Sequence, residues 1–242
     1  QPLSRGLGDV YKRQWLAFDL ETRSVEPMNC DIVGLSFSTS KDSGVYLPIH
    51  YKEKASELFD DQLTNVLDII KPIMENEKVP KTGQNIKFDG LILKRHGINV
   101  KGIKFDTMIA AHLLKPESRN LKLGTLSAEK LNYRMVPIED LIGSGREQRS
   151  MADVELDKIT FYASEDSDVV LQLTHIFIKE LKDQDLYTFF TTIEIPLLSV
   201  LLEIEFTGMY IDAKKLSNMS SEPVSYTHLR AHETEADLVC RL

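Results

Sequence analysis

The segment WLAFDLETRS, residues 15–24, constrains this chain more than any other. The apolar run from Trp15 to Phe18 leads directly into Asp19, and Glu21 follows two positions later. Such a run reads as a buried strand, and on a strand two residues that lie two apart share one face. Burying a carboxylate is costly unless it is paired, hydrogen-bonded or bound to a cation. The fold must therefore enclose this strand and also bring to its acidic end something that offsets the charge.

Apolar alternation resumes in DIVGLSFST (31–39) and GVYLPIH (44–50), with Asp42, Ser43 and Gly44 as the turn between them. Three strands with short connections predict an antiparallel meander. The stretch ASELFDDQLTNVLDIIKPIMEN then carries Leu58, Leu63, Val66, Leu67, Ile70 and Ile73 at helical spacing. VPKTGQN (79–85) reads as a short strand, KFDGLILKRHG as a helix closed by Gly97, and IKFDTMIAAHLL as a strand followed by a helix. From about residue 121 the pattern is mostly helical. Residues 155–184 form one long amphipathic helix or a pair, residues 189–208 form another closed by Gly208, and MYID (209–212) reads as a short strand. This order predicts an α/β domain, a mixed β-sheet flanked by helices with a mostly helical C-terminal half.

At 242 residues, 42% hydrophobic and 27% charged, the chain suits one sizeable domain with a fragment of a second. No apolar run reaches the length of about 18 residues that a transmembrane helix needs, and the start lacks a signal-peptide layout. Cys30 and Cys240 are the only cysteines, so no disulfide framework is expected and a reducing compartment is. A net charge of −8 argues against a generally basic nucleic-acid wrapper. It leaves room for an enzyme that holds nucleic acid through cations bound in one acidic cleft. No internal repeat or phosphate-cradling glycine loop is present. Residues 1–14 and 222–242 break the periodicity at both ends and resemble translated sequencing-adapter read-through, so both are set aside as non-native tails.

Two further acids stand beside apolar segments. Asp89 lies in GQNIKFDGLIL, where a strand gives way to a helix, and Asp166 lies in YASEDSDVV. Tyr162 precedes Asp166 by four residues, which puts both on one helix face. Each piece has a plainer reading. Asp19 and Glu21 could sit on a solvated edge, Asp89 could be a helix N-terminal acid, and Tyr162 with Asp166 an ordinary helix pair. On spacing alone Asp168 competes with Asp166. Converging carboxylates repel unless hard divalent cations offset them, and Mg²⁺ prefers oxygen ligands of this kind. Two ions about 3.5–4 Å apart can clamp the attacking and leaving oxygens of a phosphoryl displacement, and a tyrosine hydroxyl can orient the attacking water.

In order, FDLET, GQNIKFD and YASEDSDVVLQL resemble the three motifs of the 3′–5′ exonuclease domain of family A DNA polymerases, the Tyr-x-x-x-Asp form of the ribonuclease H-like exonucleases. IEIPLLSVLLEIEFTGMYID (193–212) resembles the segment that leads from that domain into the polymerase, so the resemblance covers roughly residues 15–219. It implies a ribonuclease H-like fold, an exonuclease domain over 15–188 and a truncated polymerase start over 189–221. It also implies two divalent cations, Mg²⁺ or Mn²⁺. Asp19 would bridge both ions. Glu21 and Asp166 would complete the tighter site, Tyr162 would hold the water, and Asp89 would hold the second ion mainly through water. Thr22, Val25, Gln84, Asn85, Phe88 and Ile138 would contact the single-stranded 3′ end, Val25 wedging against the terminal base. Phe88 stands where a tyrosine is frequent, and Ile138 where an aromatic is common. The implied reaction releases a nucleoside monophosphate from single-stranded or frayed DNA, as a proofreading function in replication and repair. The implied setting is a bacterial, nucleoid-associated monomer joined to its polymerase domain and free of membranes. Polymerase activity is not expected of the chain itself. An RNase D-like exoribonuclease and a catalytically silent docking module are the alternatives.

Overall fold

A computed structural model describes residues 14–49, 59–145 and 148–220. Apart from Gln14, both stretches set aside as tails lie outside the described residues, as do His50 and Leu58. Strands β1 (Leu16–Thr22), β2 (Ile32–Ser40), β3 (Ser43–Pro48), β4 (Lys81–Gly83) and β5 (Ile103–Asp106) form one sheet in the order β3-β2-β1-β4-β5. The first three strands pair antiparallel, as the meander requires, and β1–β4 and β4–β5 pair parallel. The helices are α1 (Phe59–Met74), α2 (Ile86–Arg95), α3 (Thr107–Leu114), α4 (Leu123–Leu131), α5 (Ile138–Ile142), α6 (Leu156–Asp183), α7 (Tyr187–Phe189) and α8 (Ile195–Thr207). This is the mixed, helix-flanked α/β sheet that the periodicities predict.

The central strand, β1, is covered on both faces, which is why it reads as almost continuously apolar. Leu16, Phe18 and Leu20 enter a core shared with Leu67, Ile70 and Met74 of α1 and Ile86 and Ile92 of α2. Ala17 points the other way, against Val170 and Leu171 of α6. Residues 155–184 resolve into one helix of 28 residues rather than a pair. A buried hydroxyl contact of 2.7 Å between Thr82 and Thr174 ties it to β4. Among the described side chains of α1, Leu67, Ile70 and Met74 are buried and Ile73, which spacing had placed with them, is exposed; the Leu63 side chain lies outside the described residues. One step of 100° per residue carries Ile73 past the edge of the core-facing face once Met74 has taken the central position.

The apolar segment 189–208 is helical but not uniform. Phe190–Glu194 forms a π-helical turn between α7 and α8. Pro196 accounts for it, since the ring crowds the carbonyl four residues back and offers no N–H, and a wider turn relieves both. Thr191 Oγ1 donates to Tyr187 O at 2.9 Å and Thr192 Oγ1 to Thr188 O at 2.7 Å, occupying carbonyls at this turn. Residues 209–212 are not the strand that alternation suggested. Among the described residues no strand lies beside them in a sheet, and an unpaired strand leaves its ladder groups unmade. Residues through Phe206 form one compact unit; in the second, residues 213–220 are helical.

Lys81, at the start of β4, is wholly buried. Its Nζ donates to Asn76 O at 2.9 Å and Val79 O at 3.0 Å, so the side chain gathers the turn that launches β4. Burial pushes this lysine down from its ordinary 10.5 to about 8. Between those values the unfolded chain holds a proton that the folded chain does not, so raising the pH through this window favours folding. The stability of the parent relative to Lys81→Met should therefore increase from about pH 8 to about pH 10.5, as measured by urea denaturation across that range.

Candidate active site

On β1, Asp19 and Glu21 lie on the face that carries Ala17, opposite Ser36 and Gly34 of β2 respectively. The pairing slips just beyond Glu21: Thr22 pairs with Ile32, which leaves Val33 as an extra residue in β2. Bulges of this kind end a regular ladder and re-aim nearby side chains. Helix α6 crosses the same face and carries Tyr162 and Asp166 one turn apart. The β2–β3 hairpin reaches α6 at Gly44, where a Cβ would come within 2.6 Å of Ser164 O. One carboxylate oxygen from each of Asp19, Glu21 and Asp166 lies within 4.8 Å of the others. The Tyr162 hydroxyl hydrogen-bonds to Asp166.

Asp168 does not join them. Its carboxylate accepts from Asp42 N at 2.9 Å and Gln172 Nε2 at 2.7 Å, fastening the hairpin turn to α6. Of the two acids that spacing left open, Asp166 is the one whose carboxylate the fold brings to Asp19 and Glu21. Asp89 stands beside the trio, buried in the first turn of α2. Strand β4 pairs with β1 only at Leu16 and Ala17, so farther along β1 no strand lies on that side. Leu16 N points there, to Pro80 O, and two such steps on, the Leu20 N–H is taken by the Asp89 carboxylate.

Burial raises Asp19 to about 7. Glu21 is pushed well above the usual carboxylate range by burial and then by the charges of Asp19 and Asp166. Asp89 is raised by burial and by Asp19, against the Leu20 hydrogen bond. Asp166 is raised by burial, Asp19 and Glu165, against the hydrogen bond from Tyr162. Among the described residues, no cationic side chain figures in the shift of any of the four. Glu21 Oε1 and Asp89 Oδ2 are buried with no hydrogen-bond partner. An all-oxygen donor set with two open carboxylate oxygens and uncompensated charge fits hard divalent cations.

The residues expected to meet a nucleic-acid strand differ in exposure and in what their side chains bond to. Thr22 closes β1 and its Oγ1 donates to Ser24 O at 2.8 Å. Val25 is 88% exposed on the following loop. Gln84 is committed inward, with Nε2 donating to Leu121 O at 2.8 Å and Oε1 accepting from Thr107. Asn85 is exposed in the left-handed conformation just before α2. Phe88 packs its ring against the β1 core, and Ile138 is exposed at the start of α5.

Three residues that pattern reasoning passed over support the site. Glu165, next to Asp166, is buried and accepts from the Tyr133 hydroxyl at 2.6 Å and Val136 N at 2.9 Å. Tyr46 of β3 is buried on the acidic face. Asp106 is buried and accepts Met108 N and Ile109 N, each at 2.9 Å, on one oxygen and Ile86 N at 2.8 Å on the other. It thus caps α3 and fixes the start of the helix that carries Asp89. An Asp directly before a helical segment is a recognisable N-cap signal, but its second role depends on α2 lying alongside. Asp106→Ala removes the cap and orphans a buried N–H, so urea denaturation should show a loss of about 2–3 kcal/mol.

A family model described as 3′–5′ exonuclease matches residues 5–182. DNA polymerase I of Rhizobium leguminosarum is 31% identical over 236 residues, which cover 91% of this chain and 23% of that protein. DNA polymerase I of Chloroflexus aurantiacus is 33% identical over 204 residues, 84% of this chain and 21% of the relative. The chain thus spans about a quarter of the length of these curated relatives. Among solved structures, the POL domain of Pol1 from M. smegmatis superimposes with a TM-score of 0.66 at 17% identity, covering 92% of this chain and 34% of that one. Brucella melitensis NrnC gives 0.61 at 16% identity, covering 85% of this chain and 93% of that one. The chain belongs to the 3′–5′ exonuclease family, the exonuclease part of A-type DNA polymerases.

Proposed function

We propose that the chain is a two-metal 3′–5′ exodeoxyribonuclease that removes the terminal nucleotide of single-stranded or frayed DNA, as the proofreading part of a DNA polymerase I. The observation that carries this is the convergence of Asp19, Glu21 and Asp166 within 4.8 Å, with partnerless carboxylate oxygens on Glu21 and Asp89 beside it. Asp19 would be shared between two ions, Glu21 and Asp166 would complete one site, and Asp89 would serve the other. Bound there, Mg²⁺ or Mn²⁺ supplies the positive charge that stabilises both the attacking and the leaving oxygen of a phosphodiester.

The rest is the work of side chains. Tyr162, held by Asp166, directs its hydroxyl at the acid cluster and orients the attacking water. Asp106 fixes the start of α2 and so the depth of Asp89. Thr22, Val25, Asn85, Phe88 and Ile138 border the path of the strand, with Val25 free to wedge against the last base. Phe88 offers a face for stacking if its ring leaves the core edge. Gln84 contributes through the turn it braces. Selectivity for errors follows from fraying, since a mispaired end costs less to unstack than a paired one. Residues 15–188 are the exonuclease body, and 189–221 lead into the polymerase of the parent, although α8 already packs on α2: a Cβ at Gly90 would come 2.6 Å from Leu202 Cδ1. Among the described residues no helix is long and apolar enough to cross a membrane; we place the enzyme in the bacterial cytoplasm near the nucleoid, as a monomer.

The full chain, given Mg²⁺ and 5′-labelled single-stranded DNA, should shorten it from the 3′ end and release mononucleotides. A frayed or mispaired duplex end should be cut faster than a paired one. Asp19→Ala should lower the rate roughly 10³-fold, and Tyr162→Phe about 10²-fold. Absence of Mg²⁺-dependent shortening, or full activity in Asp19→Ala, would refute the proposal. Faster trimming of an RNA of the same sequence would make the chain an exoribonuclease on the same site. Divalent ions should also raise the thermal midpoint of the parent and leave that of Asp19→Ala unmoved.

A further inference from the structure

Across the acidic face, two rows of residues run through the antiparallel meander. Asp19, Ser36 and Tyr46 stand side by side on β1, β2 and β3, and Glu21, Gly34 and Pro48 form the next row. The middle strand therefore presents only a hydroxymethyl and a hydrogen where its neighbours carry acids and a large ring. Tyr46 uses that space. A Cβ at Gly34 would come 2.2 Å from the Tyr46 hydroxyl oxygen and 2.3 Å from Cζ, so the phenol end rests directly on the Gly34 backbone. Its tip has crossed from its own row into the row of Glu21.

The ring is held there by a cluster that includes Val33, Leu141, Met151, Ile159 and Ala163, with Tyr162 packed alongside. Apart from burial, the charge of Glu21 is what acts on the Tyr46 hydroxyl. Glu21, on β1, stands opposite Gly34, and its Oε1 is buried with no hydrogen-bond partner, as is Ser36 Oγ, so without a metal the Tyr46 hydroxyl does not donate to that oxygen. A carboxylate that binds a metal through one oxygen is usually held through the other by a hydrogen-bond donor, which fixes its orientation.

We propose that Tyr46 is a positioning residue for Glu21: laid across Gly34, its hydroxyl is placed to donate to the carboxylate when a divalent ion binds, and so sets the orientation that the ion requires. This rests on the metal-site reading above and adds to it a donor from β3, a strand that contributes no ligand. Gly34 belongs to the same device, because any side chain there would evict the phenol. Tyr46 touches neither substrate nor the reacting atoms. Its effect should appear in metal affinity and not in strand binding.

The test uses the full chain and Mn²⁺ as the probe. Tyr46→Phe keeps the ring on Gly34 and deletes only the hydroxyl. Calorimetry should show Mn²⁺ bound roughly tenfold more weakly, and the Mg²⁺ concentration needed for half-maximal activity should rise in step. The KM for a single-stranded oligonucleotide and the thermal midpoint without metal should stay at parental values, and excess Mg²⁺ should restore kcat. Gly34→Ala retains the hydroxyl but displaces it, so it should weaken Mn²⁺ binding similarly. The double variant should bind no worse than the weaker single one, because both changes remove the same donor. Parental Mn²⁺ affinity and Mg²⁺ dependence in Tyr46→Phe would overturn the role of Tyr46, and additive losses in the double variant would do the same. Asp19→Ala separates the two levels. If it abolishes Mn²⁺ binding while Tyr46→Phe binds normally, only the Tyr46 assignment fails. If it binds Mn²⁺ like the parent, the metal site fails with it.

Discussion

The loss of hydration at four clustered carboxylates, Glu21 and Asp89 buried and Asp19 and Asp166 half-buried, is the constraint on which the rest of this structure depends. Burial raises each of Asp19, Glu21, Asp89 and Asp166, and the charge of Asp19 raises the other three further. Among the described residues, no lysine or arginine figures in their shifts. What the fold supplies is rigidity: a central strand covered on both faces, and a long helix pinned across it by Ala17 and by the Thr82–Thr174 contact. A cluster of this kind destabilises the metal-free chain, and such local conflict is what functional sites carry while the surrounding structure offsets it.

The individual hydrogen bonds around the acids share one logic. Each either orients a carboxylate or fixes the element beneath it, and none supplies a full opposing charge. Leu20 N–H takes one oxygen of Asp89 where β4 stops short, and Tyr162 takes Asp166. Asp106, itself buried, is satisfied by backbone N–H groups from two helix starts. The site therefore remains electrostatically hungry while being geometrically set, which is the condition for binding hard cations tightly and in one place. The family match and the 31–33% identity to DNA polymerase I relatives give this arrangement its biological setting.

Much of this was legible in the chain. Alternation across β1 to β3 gave the meander, and the two-residue step from Asp19 to Glu21 gave their common face. The four-residue step from Tyr162 to Asp166 gave theirs. Where local pattern failed, it failed for tertiary reasons. Ile73 fits a helical stripe as well as Met74 does, and only the position of the sheet decides between them. MYID alternates like a strand, but alternation says nothing about whether a partner strand is present. Nothing local to Gln84 shows that its amide lies between Thr107 and the Leu121 carbonyl.

The sequence by itself determined which residues could share a face, because strand and helix periods are local properties of the backbone. It also set the acids beside apolar runs, but left open whether Asp19 and Glu21 would be buried or lie on a solvated edge. Only the tertiary structure decided that β1 and α6 would meet at their acidic positions, that Asp166 and not Asp168 would complete the trio, and that Tyr46 would lie across Gly34. Those outcomes rest on distances between segments more than a hundred residues apart, or on the absence of a single Cβ between neighbouring strands, and no local period encodes either.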